Sequence, residues 1–213
     1  EYSQVQLNTA TGAAADIGST GPAVYEVNSY GDWWEVVQSF TNNASGNTTA
    51  KVLLYPAIGD VFGFNDPAAT GSIIIGNVEL HLNKTVAEVA GTAPSVVDAG
   101  EIVPRLEADA PLPNELDDSR DLTGFTGAAQ TAYDQAGLFG EPSTATVVTD
   151  SNAAGYEEVS YGVAIPDDTA THTARWFVKK DNDETRFPRL DIRGDNGTSA
   201  VYSYVYLNTA TGA

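Results

Sequence analysis

Short runs of β-branched and aromatic residues, separated by clusters of turn-forming residues, constrain the fold of this chain more than any other feature. Such runs favour strands, because branched and aromatic side chains pack well on a pleated, half-buried surface. The predicted strands cover residues 24–30, 33–41, 49–58, 72–85, 101–109, 145–150, 156–165, 173–180, 186–194 and 199–207. Turn sequences such as TNNASGN, FNDPAATG and GDNG lie between them. This spacing predicts an all-β jelly-roll sandwich or barrel of about 8–10 strands.

One of these strands shows a clear alternation of polar and apolar residues. In NVELHLN (residues 77–83) every second residue is apolar. Such alternation is typical of a strand with one face toward the core and the other toward solvent. We therefore expect the polar face, which includes His81, to meet water.

A single segment departs from the strand pattern. From Phe125 to Ala136 the apolar residues recur at helical spacing, which predicts one inserted helix near residues 125–137. The preceding loop is rich in aspartate and proline. We interpret residues 110–140 as a loop and helix decoration within a single domain that covers residues 1–213, with extended segments at both ends.

The charge of the chain limits its partners. Its 29 acidic residues against 10 Lys and Arg give a formal net charge of -19. Near 1 M salt the Debye length falls to about 3 Å, which screens the self-repulsion of such a surface. We therefore interpret the chain as a protein adapted to molar salt. Direct binding of nucleic acid is not expected, because that needs clustered basic residues. The apolar runs are also far shorter than the ~20 residues that span a bilayer.

The residue inventory gives little support to catalysis. The chain has no cysteine and only two histidines, His81 and His172, and it lacks the common hydrolase, metalloprotease and nucleotide-binding motifs. We predict that it is not an enzyme and that it needs no cofactor. A hydrolase built on a pair of acids stays open as a third hypothesis, since carboxylates are abundant.

Two kinds of surface site are suggested by local sequence. Asp181, Asp183 and Glu184 crowd three carboxylates into one turn, which suggests a structural Ca²⁺, Mg²⁺ or Na⁺ ion. Four sequons of the N-x-S/T type permit glycosylation, at Asn43, Asn47, Asn83 and Asn196.

The two ends of the chain carry nearly the same strip of sequence. The N-terminal strip, YSQVQLNTATGA (residues 2–13), and the C-terminal strip, YSYVYLNTATGA (residues 202–213), are identical at ten of twelve positions. Small, uncharged ends can complete the sheet of another chain by strand addition. The strips can equally be neighbouring strands of one barrel, and both interpretations stay open. We expect the assembly contacts to involve Tyr202, Tyr204, Tyr206, Leu207, Asn208, Leu7 and Asn8. The tyrosine row is expected to pack against another sheet, a loop or a neighbouring subunit.

An acidic, cysteine-free, β-rich chain of this size, with an inserted helix and extended ends, resembles the major capsid proteins of tailless icosahedral viruses of haloarchaea, which enclose an internal membrane. The resemblance covers the whole chain in size and strand pattern. It implies an upright single jelly-roll barrel in the virion shell. It also implies capsomers formed with copies of itself and a related capsid protein, above a membrane that the chain does not span.

The main alternative is a carbohydrate-binding or adhesive β-sandwich, extracellular or on the surface of a haloarchaeon. Trp33, Trp34 and Trp176 could serve as platforms on which sugar rings stack. Surface glycans would then be its partners.

Overall fold

The computed structural model describes residues 2–8, 13–16, 24–58, 66–98, 101–102, 112–183 and 187–212, and only the backbone for residues 2–8, 13–16, 98 and 101–102. In chain order the strands are β1 (Tyr2–Asn8), β2 (Ala13–Asp16), β3 (Val24–Tyr30), β4 (Trp33–Thr41), β5 (Thr49–Tyr55), β6 (Gly71–His81), β7 (Val97–Asp98), β8 (Glu101–Ile102), β9 (Thr126–Gly127), β10 (Gln130–Gln135), β11 (Ala145–Asp150), β12 (Val159–Ala164), β13 (Thr171–Lys179), β14 (Arg189–Asp195) and β15 (Val201–Tyr206). A short helix, α1 (Val86–Val89), and a 3-10 turn (Leu122–Gly124) complete the described elements.

The strands form two large sheets and one small one. Sheet A has the order β2-β1-β15-β14-β5-β12-β9, sheet B has the order β10-β11-β6-β13-β4-β3, and β7 pairs with β8. All described pairings are antiparallel except that of β1 with β15. The prediction of an all-β sandwich is confirmed, and the arrangement is consistent with a jelly roll.

The main hydrophobic core lies between the two large sheets. Sheet B contributes fully buried side chains that include Val36, Val78 and Trp176, and sheet A contributes Val52 and Leu190. Burying a side chain of this size stabilises the fold by roughly 1.5–3 kcal/mol. The apolar face of residues 77–83 therefore packs in the core, as predicted.

A second, smaller cluster packs at one end of sheet B, around Trp33 and Phe177. Gly76 makes room for it. The β6–β13 register shifts at this glycine, and a Cβ at position 76 would lie 2.7 Å from the Trp33 ring. The absent side chain thus allows the strand to bulge and the indole to pack against the backbone.

The prediction of an inserted helix near residues 125–137 is wrong. Residues 126–127 and 130–135 are strands, and β10 pairs with β11 from Gln130 opposite Thr149 to Gln135 opposite Ala145. Exposure alternates along β10 as it does on a half-covered strand. The alanine-rich sequence favours a helix locally, but backbone pairing with a strand fifteen residues further on overrides that preference.

The helix that does form was not predicted. It follows directly after β6, where Thr85 and Glu88 form a capping pair. The Glu88 carboxylate accepts hydrogen bonds from the Thr85 N–H (2.9 Å) and from the Thr85 hydroxyl (2.9 Å). These bonds lower the pKa of Glu88, together with a contact to Lys84. The sequence TVAE carries this T-x-x-E signature, which indicates a helix start.

Candidate assembly interface

The first strands of the two nearly identical strips, β1 and β15, lie side by side near one end of sheet A, where β2 is the outermost strand. β1 runs parallel to β15, and the register pairs Tyr2 with Tyr202, Ser3 with Ser203 and Val5 with Val205. Each residue from Tyr2 to Val5 is thus next to its own counterpart in the other strip. The interpretation of the strips as neighbouring strands is confirmed, and β2 extends the sheet by one further strand.

The C-terminal strip presents two different faces. Val201, Ser203 and Val205 are buried, with both valines in the main core. Tyr202, Tyr204 and Tyr206 form a row on the other face, as the alternation of the strand requires. The Tyr202 and Tyr204 rings stack at 6.0 Å, and the Tyr206 ring meets Tyr204 edge-on at 5.6 Å. Tyr202 and Tyr204 are half-buried and Tyr206 is buried, so the expected packing of the row is found within the chain itself.

One arginine organises this face of sheet A. The Arg189 guanidinium lies 4.3 Å from the centre of the Tyr55 ring and 5.1 Å from that of Tyr204. Its Nε and Nη2 donate to the two oxygens of Asp191 at 2.9 and 3.0 Å. Arg189 thus forms a bidentate ion pair with Asp191 and cation–π contacts with two tyrosine rings.

Burial changes the protonation of the groups around Arg189. It raises the pKa of Tyr55 and of Tyr204 to about 12, which keeps both phenols neutral. It also raises the pKa of the Asp191 carboxyl to about 6, although Arg189 acts in the opposite direction. The phenols of the tyrosine face are therefore neutral, and the charges beside them include the Arg189 and Asp191 pair.

Beyond β15, the end of the C-terminal strip binds to the body of the domain. Leu207 and Thr209 are fully buried. The Leu207 N–H donates to the Pro188 carbonyl at 3.0 Å, and the Thr209 carbonyl accepts from the Asp181 N–H at 3.2 Å. The Thr209 hydroxyl donates to the Asp181 carboxylate at 2.7 Å. We call the groove beside β14 that holds residues 202–212 the strand slot.

Trp34 forms the floor at the end of the strand slot. Its indole N–H donates to the Thr209 carbonyl at 2.8 Å, and the Lys180 ammonium lies 4.3 Å from its ring centre. Gly212 has a φ of +79°, and a Cβ there would lie 2.5 Å from the Trp34 ring. The Asn208 side chain accepts from the N–H groups of Ala210 and Thr211, which shapes the turn before the glycine. The LNTATG sequence is therefore fitted to this site residue by residue.

No protein family, curated protein or solved structure matches the chain.

The remaining assembly residues lie in β1, where Leu7 pairs with Ala14 and Asn8 with Ala13 in the hairpin to β2. Of the expected cation ligands, Glu184 lies outside the described residues. The Asp181 carboxylate accepts from Thr209 and from the Asp183 N–H. Across the described part of the chain, no three histidine or acidic side chains are grouped to hold a metal ion. A bound cation at this turn stays a prediction.

The four sequons differ in how available they are. Asn47 is fully buried, and its amide donates to Asn43 Oδ1 at 2.7 Å and to the Ser199 carbonyl at 3.1 Å. The amides of Asn43 and Asn196 also donate to protein acceptors. Asn83 is exposed, and its side chain has no hydrogen bond to the described residues. Asn83 is therefore the sequon whose amide nitrogen is open to a glycan.

The tryptophans do not form an exposed platform. Trp33 and Trp176 are buried, and Trp34 is occupied by the C-terminal strip and by Lys180. The sugar-binding alternative loses the feature that suggested it. Among the helices in the described ranges, none is long and apolar enough to cross a bilayer.

The sequence did not reveal a buried ionic cluster on the outer face of sheet B. Arg175, which is fully buried, contacts Glu79 at 2.6 Å and Glu35 at 3.4 Å. His81 contacts Glu79 at 2.8 Å and the Pro113 carbonyl at 2.6 Å, so both of its ring nitrogens face oxygen acceptors.

This cluster overturns the expectation that the polar face of residues 77–83 meets solvent. The face is covered by the segment around residues 89–95, which supplies carbonyl acceptors to Arg175 and Asn77, and by residues 113–119, whose Pro113 carbonyl contacts His81. One signal could have suggested this buried cluster, namely the charged residues at alternate positions of an otherwise apolar strand. Burial at this depth also makes the Glu35 and Glu79 pair a poor candidate for hydrolysis, because a substrate has no access to it.

Proposed function

We propose that this chain is a structural shell protein that assembles through the edge of sheet A, in the virion capsid of a virus of haloarchaea. The observation that carries the proposal is the parallel, in-register pairing of β1 with β15. Two strands of nearly the same sequence pair here within one chain, and an extended segment of another chain adds to a sheet by the same kind of backbone hydrogen bonds. In separate chains, the same strips can pair by the same hydrogen bonds.

Three further properties support assembly over chemistry. The fold is a β-sandwich, an architecture used in many shells. The acidic composition suits molar salt, where surface ion pairs are screened and contacts depend on apolar and backbone groups. Arg175, Glu79 and Glu35 are deeply buried and bind one another beneath the segments that cover the outer face of sheet B.

Electron microscopy of the protein in molar salt tests this proposal. We expect regular particles or lattices in which subunits contact one another through the sheet A edge, alone or with a related shell protein. A protein that stays monomeric at high concentration, in native material and in the presence of its co-purifying partners, would contradict the proposal. Glycan binding by that monomer would instead favour the carbohydrate-binding alternative.

A further inference from the structure

We infer that the strand slot also binds the N-terminal strip of a second copy of this chain, so that subunits are joined by strand exchange. The inference rests on the proposed self-assembly and names the segment and the site that perform it. The argument depends on which residues of the C-terminal strip the slot recognises, and on whether the N-terminal strip carries the same residues.

Of the positions that the slot buries, all but Tyr206 carry the same residue in both strips. Ser203, Val205 and Leu207 turn into the body, and their counterparts at positions 3, 5 and 7 are serine, valine and leucine. The two positions that differ are 4 and 6, where glutamine stands in place of Tyr204 and Tyr206. Both differences fall on the tyrosine face, which lies away from the core.

The end of the slot recognises groups that both strips possess. The Asn208 side chain forms a turn, and the Thr209 hydroxyl and carbonyl bind Asp181 and Trp34. Gly212 has no Cβ, so its backbone can lie against the Trp34 indole. The N-terminal strip has Asn, Thr and Gly at positions 8, 9 and 12. Every polar contact of the LNTATG segment can therefore be repeated by the other copy.

The C-terminal strip has the advantage within one chain. It alone supplies the stacked tyrosines, and Val201, just before it, is buried where the N-terminal strip has Glu1. Exchange is therefore expected where subunits are crowded in an assembly and the local concentration of N-terminal strips is high. An isolated chain keeps its own strip in the slot.

A photo-cross-link in the full-length protein tests the inference. Benzoylphenylalanine is placed at Gln4, the counterpart of Tyr204, and chains labelled with ¹⁴N and ¹⁵N are mixed, assembled in molar salt and irradiated. A strip in the slot of a neighbour lies beside β14, because Tyr204 pairs with Asp191. We expect cross-links between position 4 of one isotope and residues 189–195 of the other. Products confined to β15 of the same chain would overturn the inference.

Two matched substitutions distinguish an effect on the strip that a chain donates from an effect on the strip that fills its own slot. Gly12→Val adds a side chain to the donated strip at the counterpart of Gly212, where it would meet Trp34, so we expect it to remove the mixed-isotope product. Gly212→Val forces a side chain against Trp34 in the chain's own strip, so we expect the mixed-isotope product to rise several-fold. Equal yields in wild type and Gly12→Val would overturn the inference, even if Gly212→Val fails to fold.

Microscopy of the same irradiated samples distinguishes the two claims. Regular particles without mixed-isotope cross-links to β14 would leave the shell function standing and reject strand exchange. Mixed-isotope cross-links in material that forms no regular assembly would support exchange and reject the shell function.

Discussion

The indole of Trp34 donates a hydrogen bond to the backbone carbonyl of Thr209 across 2.8 Å, joining sheet B to a segment 175 residues further along the chain. Trp34 lies in β4, which packs within the sandwich, whereas Thr209 belongs to the strip that follows β15. The bond therefore ties the end of the C-terminal strip to the opposite sheet.

Trp34→Phe should lower the free energy of unfolding by about 1 kcal/mol, because it removes the donor and keeps most of the ring. Denaturant unfolding in molar salt measures the change. Thr211→Ala is the control, since Thr211 is exposed in the same strip and only its backbone N–H is hydrogen-bonded. Equal effects of the two substitutions would argue against a specific role for the indole.

Arg175→Met should destabilise the fold by about 3–5 kcal/mol, because it leaves Glu35 and Glu79 buried without their cation. The matched control is Lys84→Met, which breaks the exposed pair with Glu88 and should have a much smaller effect on stability. Thermal unfolding of both variants checks the difference. A small loss for Arg175→Met would mean that the two carboxylates can be protonated or solvated without it.

Stability should fall as the pH rises from 4 to 7 through the titration of Asp191. Its pKa is raised from 3.8 to about 6 in the folded protein, so the native state holds the proton more tightly than the unfolded chain. The stabilisation is complete below pH 3.8 and is lost as the pH rises through 6. The shift amounts to about 3 kcal/mol at most.

Unfolding curves of wild type and Asp191→Asn at constant molar salt isolate this contribution, because the other carboxylates are common to both proteins. We expect the wild type to lose stability relative to the variant between pH 4 and 7. A constant difference over that range would show that Asp191 does not titrate there.

The melting temperature should rise steeply with salt, because a net charge of -19 repels itself when unscreened. Calorimetry between 0.1 and 3 M KCl, a range chosen to change the Debye length several-fold, measures this dependence. Lowering the pH toward the pI of about 4.1 at low salt is the control. Recovery of stability there identifies repulsion as the cause, whereas no recovery would point to specific ion binding.

Native material should carry glycan at Asn83 and none at Asn47. The Asn83 amide is open to solvent, whereas the Asn47 amide is buried and hydrogen-bonded. Glycopeptide mass spectrometry of native protein reports occupancy at each site, with Asn83→Gln as the control that removes the modified peptide. A glycan on Asn47 would be incompatible with the described turn.

The strands were predictable where local pattern and turn chemistry agree. Residues 24–30, 33–41 and 145–150 form strands with the predicted bounds, because each run of branched and aromatic residues ends at Gly, Asp, Asn or Ser. The 125–137 segment failed for the opposite reason. Its alanines favour a helix, and only the pairing with β11, which local sequence does not contain, selects the strand.

The candidate interface was predictable in part. The duplication and the packing of the tyrosine row can be read from residues 202–206, since alternation separates their two faces. The binding of the strip to Trp34 and Asp181 could not be predicted, because those residues are far away in sequence. The burial of Glu79 and Arg175 escaped prediction for the same reason, since their cover comes from loops that carry no periodic pattern.

The register of β1 against β15 has a consequence for chain connectivity. A shift of one strand spacing, about 4.8 Å, would carry each residue of β1 onto the position of its counterpart in β15. A chain that lacks its first strip and a chain that lacks its last strip therefore carry nearly the same residues in a different order. They are related as circular permutants, with the β15 strand at the C-terminus of one and at the N-terminus of the other. The full-length chain contains both arrangements, because each of its ends carries a strip with nearly the sequence of β15.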